Sequence, residues 1–168
     1  MKECRVCKNK LSKVFCDLNK TPLANSYRQS LEKINDEIHY PLKVFLCSNC
    51  MLVQLPETVI PEDIFTDYAY FSSYSLHWLN HASKLCENSI KKFTLKNNDL
   101  ITEIASNDGY LLKNFKKNNY NNILGIEPAK NIANYANEQN INTENFFFNE
   151  ETSEYILKKY KYSKIIFS

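Results

Sequence analysis

The chain has 168 residues, 43% of them hydrophobic, which is room for one ordinary domain or two small ones with a buried core. Its 21 basic and 19 acidic residues leave a net charge of +2 and are scattered, so there is no basic footprint for a phosphate backbone and nucleic acid is not the expected partner. No run of about 18 apolar residues occurs, and the polar start MKECRVCKNK lacks a secretory apolar stretch. Together they predict a folded, soluble, cytoplasmic protein with no membrane partner.

In chain order, residues 1–60 carry two cysteine pairs, several prolines and short β-like runs, Val44-Phe45-Leu46 and Met51-Leu52-Val53-Gln54-Leu55. This is a loop-rich β module too small to hold itself together. Residues 61–96 open on Pro61-Glu62-Asp63 and pass through the aromatic stretch DYAYFSSYSLHW. They continue as a helix with Leu79, Ala82, Leu85 and Ile90 at helical spacing, expected to bridge two domains.

From residue 97 to 168 the pattern alternates. DLITEIA, NILGIE, INTENFFF and SKIIFS read as strands, and GYLLKNFKKN, AKNIANYANEQ and ETSEYILKKYK as the helices between them. The predicted fold class is α/β: a small zinc-bound β-rich module followed by the front half of a Rossmann-like parallel sheet. A parallel sheet of four strands leaves an apolar edge and face uncovered, so a truncated or split chain is expected.

Cys4-Arg5-Val6-Cys7 and Cys47-Ser48-Asn49-Cys50 are two CxxC units. Each lets two thiolates meet one tetrahedral ion from a single tight turn, and together they supply a closed four-thiolate shell. The 39 residues between Cys7 and Cys47 exceed the roughly 15–20 of a common zinc ribbon, so TPLANSYRQSLEKINDEIHYPL must form a long connecting loop. A redox pair is the competing interpretation, but redox CxxC normally opens a helix in a thioredoxin-type βαβ, and neither unit does. With no open coordination position the zinc is structural. Cys16 and Cys86 read as ordinary thiols, and His39, His77 and His81 as structural or surface residues.

The segment Glu103-Ile104-Ala105-Ser106-Asn107-Asp108-Gly109 ends the first strand of the alternating region and opens the next helix, where open α/β sheets bind ligands. A dinucleotide site would place three glycines there. Only Gly109 remains, with Ala105 and Asn107 at the other two positions, which disfavours a pyrophosphate and with it a nicotinamide oxidoreductase. S-adenosylmethionine carries no phosphate and tolerates a bulkier loop. Glu127 lies 24 positions beyond Glu103, near the spacing of about 20 expected for a ribose-binding acid. A plain βα turn with a surface Glu remains the alternative.

Taken together, CRVC, TPLANSY, YPLKVFLCSNCMLVQL, DYAYFSSYSLHW, EIASNDGYLL and GIEPAKNIA resemble, in order and over nearly the whole chain, the zinc-containing S-adenosylmethionine-dependent C-methyltransferases that act on nucleotide-linked 4-keto deoxysugars. The resemblance implies proton abstraction α to a ketone and attack of the resulting enolate carbon on the sulfonium methyl group. It implies that Glu103, Ala105, Asn107, Asp108 and Gly109 line the methionine end of the cofactor, that Glu127 and Pro128 meet the ribose and adenine, and that Phe147 or Phe148 flanks the adenine ring. Tyr68, Tyr70 and Ser73 fall near cofactor and sugar, with a tyrosine hydroxyl as the candidate proton-transfer group; core packing is the bland alternative for each aromatic. Family members carry further catalytic residues beyond the point matching Ser168. A partner chain supplying that half is therefore one expectation, and an inactive zinc-binding interaction module retaining part of a cofactor site is the other.

Overall fold

A computed structural model describes residues 2–27, 30, 36–56 and 58–168 of the chain. Part of the connecting loop between the cysteine pairs, at 28–29 and 31–35, lies outside the described residues. The chain divides into two compact units, Met1–Ile64 and Phe65–Ser168, with α1 (Pro61–Phe65) spanning the division.

The first unit is an antiparallel sheet of β1 (Lys13–Thr21), β2 (Tyr40–Leu46) and β3 (Val53–Gln54), in that order. β2 and β3 are the two runs legible in the sequence. β1 was hidden because its register to β2 shifts between Val14 and Cys16 and again between Asp17 and Lys20, so apolar residues do not alternate cleanly. Val14, Phe15 and Leu18 all remain exposed. The buried core is small, Cys4, Leu11, Phe45 and Cys47 with Cys7 and Leu52 against it. Apolar burial on that scale offsets little of the backbone entropy of ordering the unit, so its stability must come from elsewhere.

The second unit runs α2 (Leu76–Phe93), β4 (Ile101–Ile104), α3 (Leu112–Lys117), β5 (Ile123–Ile126), α4 (Lys130–Glu138), β6 (Thr143–Glu144), α5 (Glu150–Tyr160) and β7 (Ile165–Phe167). All strand pairs are parallel and the order is β6-β5-β4-β7. The chain moves outward from β4 through β5 to β6, then returns to the other side of β4. That reversal makes the carboxyl end of β4 the topological switch point, where open sheets bind ligands.

Alternate residues of the strands face opposite layers. Ile101 and Ile123 pack with Ala82 and Cys86 of α2, Leu112 and Phe115 of α3 and Ala136 of α4. Leu124 and Ile126 pack with Ile156 of α5. α2 is therefore part of this unit's core, its buried stripe Ala82, Cys86 and Ser89 placed at helical spacing. It starts at Ser75, whose Oγ accepts from Trp78 N at 3.2 Å, and stops at left-handed Thr94 (φ 48°).

The third strand of the alternating region is shorter than the run INTENFFF predicts. After Glu144 the Asn145 side chain donates to the carbonyls of Glu127 and Pro128, both at 2.8 Å, and Phe146 packs among Leu100, Leu124, Ile126 and Ile156. Those contacts draw the chain off the sheet. Among the described residues no helix is long and apolar enough to cross a membrane.

Candidate functional site

The two CxxC units fold into the same turn. In the first, Lys8 N donates to Cys4 O at 2.9 Å and Cys4 N donates to Asn9 O at 2.8 Å. In the second, Met51 N donates to Cys47 O at 3.0 Å and Cys47 N to Leu52 O at 2.9 Å. In both, the residue after the second cysteine is left-handed, Lys8 at φ 60° and Met51 at φ 62°, which curls the turn so that both thiols of a unit face the same point. The Sγ atoms of Cys4, Cys7, Cys47 and Cys50 all lie within 4.8 Å of one another, with 3.5 Å between Cys4 and Cys50 and between Cys7 and Cys47. Four thiolates about 2.3 Å from a tetrahedral zinc stand roughly 3.8 Å apart. The donor set fits that ion.

Around the cluster, Gln54 donates to Cys4 Sγ at 3.2 Å and accepts from Arg5 N at 3.0 Å, locking the first turn to β3. The thiols titrate in opposite directions. Backbone N–H of Cys7 and the Gln54 amide draw Cys4 down to about 6. Cys50 is pushed up to about 12: the Leu52 N–H pulls the other way, but the shared proton with Cys4 and burial prevail. Crowded thiols resist a second negative charge, and a divalent cation among them removes that resistance. Among the described residues no other group of three or more His, Cys, Asp or Glu brings its ligand atoms together; His77 and His81 belong to none.

At the carboxyl end of β4, positions 105, 107 and 109 all adopt positive φ, 55° for Ala105, 48° for Asn107 and 77° for Gly109. The backbone of a glycine-rich loop is thus kept although two of three glycines are absent. Gly109 is needed, because a Cβ there would stand 2.9 Å from Ile141 Cγ2. Ala105 holds a conformation costly to an L-residue, a strain of the kind concentrated at functional sites, whereas asparagine at 107 tolerates it.

Three carboxylates gather beneath this loop. Glu103, Asp108 and Glu127 are 3%, 4% and 5% exposed. Glu127 Oε2 accepts from Asn107 N at 2.8 Å and Oε1 from Ala129 N at 2.9 Å. It stands next to the loop and braces it, a role that its spacing from Glu103 did not reveal. Glu103 Oε2, Ser106 Oγ and Asp108 Oδ1 are buried without a hydrogen-bond partner among the described residues. Buried polar atoms are nearly always satisfied, so one such atom on β4 and two on the turn that follows mark a place built for something that donates. A ligand carrying an ammonium group fits.

Burial holds the Glu103 carboxyl well above its ordinary range, reinforced by the charges of Asp108 and Glu127 and opposed by the Tyr110 hydroxyl and the Leu112 N–H. Burial raises Glu127 too, against the two backbone N–H donors. A carboxyl raised in the folded state binds its proton more tightly there than when unfolded, so its contribution is full below the unfolded value and is lost as pH rises through the folded one. The second unit should therefore lose stability as pH climbs out of the usual carboxylate range, and Glu103→Gln should flatten that slope. Urea midpoints read across pH by the fluorescence of Trp78, the single tryptophan, check it.

The aromatic stretch lies on the same loop. Ser72 N donates to Asn107 Oδ1 at 2.8 Å and Ser73 N to Asp108 Oδ2 at 3.1 Å. Asn107 Nδ2 also donates to Tyr70 O at 3.1 Å, so Tyr70, Ser72 and Ser73 meet the loop through their backbone groups, whereas Tyr68 N meets Asn131 Oδ1. Tyr70 is partly exposed, and Phe71 packs edge-on to Tyr135 at 5.3 Å. A cleft of about 290 Å³ beside them is lined by Ser73, Asp108, Tyr110, Lys113, Asn114 and Tyr135, among others. Glu103 and Glu127 do not line it. Phe147 and Phe148 follow β6, and Phe148 lines a separate, more apolar groove with Ile126, Ile156 and Ile166. Asn131, inside the GIEPAKNIA stretch but given no role by it, pairs with the backbone of Tyr68.

Residues 4–65 match a family model described as "putative zinc binding domain". Over 165 residues, 98% of this chain, the sequence is 28% identical to the C-methyltransferase NovU of Streptomyces niveus. The matched stretch is 39% of that protein. The converging cysteines and the α/β fold agree with both matches. The chain is thus a relative of a C-methyltransferase, begins with a segment that matches a zinc-binding domain, and spans about two fifths of that relative's length.

Proposed function

We propose that this chain carries the structural zinc module and the S-adenosylmethionine half-site of a C-methyltransferase. The observation that carries the reading is the trio of buried oxygens without a partner among the described residues, Glu103 Oε2 on β4 and Ser106 Oγ and Asp108 Oδ1 on the loop that follows, at the switch point. Cys4, Cys7, Cys47 and Cys50 hold the zinc, which does no chemistry. Glu103 and Asp108 accept hydrogen bonds from the cofactor's amino group, Ala105 and Gly109 let the backbone approach it, and Glu127 with Pro128 meets the ribose and adenine, Phe147 or Phe148 beside the ring.

Bound there, S-adenosylmethionine supplies an electrophilic methyl group. The proposed acceptor is the carbon α to the ketone of a nucleotide-linked keto-deoxysugar, a reading supported by the resemblance of the motifs. On this chain Tyr68 and Tyr70 are the proton-transfer candidates, with Ser73 beside them. A tyrosine hydroxyl there is suited to donating a hydrogen bond to the developing oxyanion of the enolate. The remaining groups are supplied by sequence matching the rest of the relative's length, in the same chain or a partner.

Calorimetric titration with S-adenosylmethionine tests the reading. Saturable binding is expected, weakened more than tenfold by Glu127→Ala, because that change removes both loop braces and the ribose acceptor. Stoichiometric zinc with no cofactor affinity would overturn it in favour of a zinc-binding interaction module.

A further inference from the structure

The segment 66–73 is held along its length by the loop after β4 and by the first turn of α4. Lys130 N donates to Thr66 O at 3.0 Å. Asn131 pairs twice with the next contact point, Oδ1 accepting from Tyr68 N at 3.1 Å and Nδ2 donating to Tyr68 O at 2.8 Å. Asn107 repeats the arrangement, Nδ2 donating to Tyr70 O at 3.1 Å and Oδ1 accepting from Ser72 N at 2.8 Å. Asp108 Oδ2 completes the series at Ser73 N, 3.1 Å. Backbone polar groups of a connecting segment must be met by some partner. Here one backbone N–H, two carboxamides and a carboxylate do it.

We propose that Asn131 and Asn107 are positioning residues that set cofactor affinity by fixing this strap against the site. The inference rests on the cofactor reading above. Asn107 connects three things at once: its side chain holds the strap, its N–H holds Glu127 Oε2, and its backbone is one of the three positive-φ positions. Asn131 works from the first turn of α4, two residues past Ala129, whose N–H holds the other oxygen of Glu127. Strap and ribose acid therefore share supports at both ends. Pulling the strap away loosens the amides that aim the carboxylate, and a ligand that needs Glu127 in place favours the docked strap. Asparagine suits the task because one carboxamide offers donor and acceptor together, which aspartate and leucine do not. At 107 it also tolerates a left-handed backbone.

The test uses the full 168-residue chain, calorimetry with S-adenosylmethionine and amide hydrogen exchange over residues 66–73. In the wild type, ligand should slow exchange at Tyr68, Ser72 and Ser73. Asn131→Ala should speed exchange at Tyr68 without ligand and weaken binding about tenfold. Asn131→Asp, which keeps the acceptor and loses the donor, should fall between them. Asn107→Gly, which accepts φ 48° without strain, is the second site should the α4 variants not fold; it should speed exchange at Ser72 and weaken binding at least as much. A variant whose strap exchanges fast yet whose affinity stays within twofold of wild type overturns the inference alone. A wild type with no affinity overturns the cofactor reading, and the inference falls with it.

Discussion

Cys47→Ser is expected to release the metal and unfold the described part of the first unit while the parallel sheet stays folded. Cys47 is fully buried, its Sγ 3.5 Å from that of Cys7, and its turn is closed by backbone bonds to Met51 and Leu52. Serine keeps the size and loses the thiolate, leaving three ligands and a buried hydroxyl with no comparable affinity for the ion. Structural zinc supplies on the order of 10 kcal/mol to small metallodomains of this kind, whereas four buried residues make up this unit's core. Metal analysis should find one zinc per wild-type chain and none in the variant. Amide exchange across residues 36–56 should rise to unprotected rates. Trp78 lies in the second unit, so its unfolding transition should not move. Chelator treatment of the wild type should reproduce all three results.

Phe115→Ala should cost the second unit about 3–5 kcal/mol. Phe115 has no exposed surface and meets Tyr120 edge-on at 6.3 Å and Phe167 at 5.6 Å. It lies between α3 and the face of the sheet that carries Ile101 and Ile123. The surrounding elements are tied by short strands and cannot close over the lost ring, so the void should persist. A lowered urea midpoint by Trp78 fluorescence is the readout, with zinc content unchanged.

The strands and helices of the second unit were legible because its residues alternate between two layers, giving apolar runs for buried parallel strands and a 3.6 period for helices such as α2. The four-cysteine cluster was legible because CxxC spacing fixes the turn. Three features were not. β1 lacks a clean period because bulges turn Val14, Phe15 and Leu18 outward. The end of β6 is set by Asn145, a tertiary contact that local pattern does not encode. The loop after β4 keeps a glycine-like backbone with alanine and asparagine, so counting glycines understated it. Its signal lay in the asparagine, which is among the residues most tolerant of positive φ. The spacing placed Glu127, but only coordinates show it braced by Asn107 and Ala129.

The most direct test follows the S-adenosylmethionine titration residue by residue, by NMR of the ¹⁵N-labelled chain. The account predicts shifts centred on the amides of Ala105, Asn107, Gly109 and Ala129, extending to Ser72 and Ser73, with Cys4, Cys7, Cys47 and Cys50 unmoved. Shifts confined to the cysteine module, or none at saturating ligand, would contradict it.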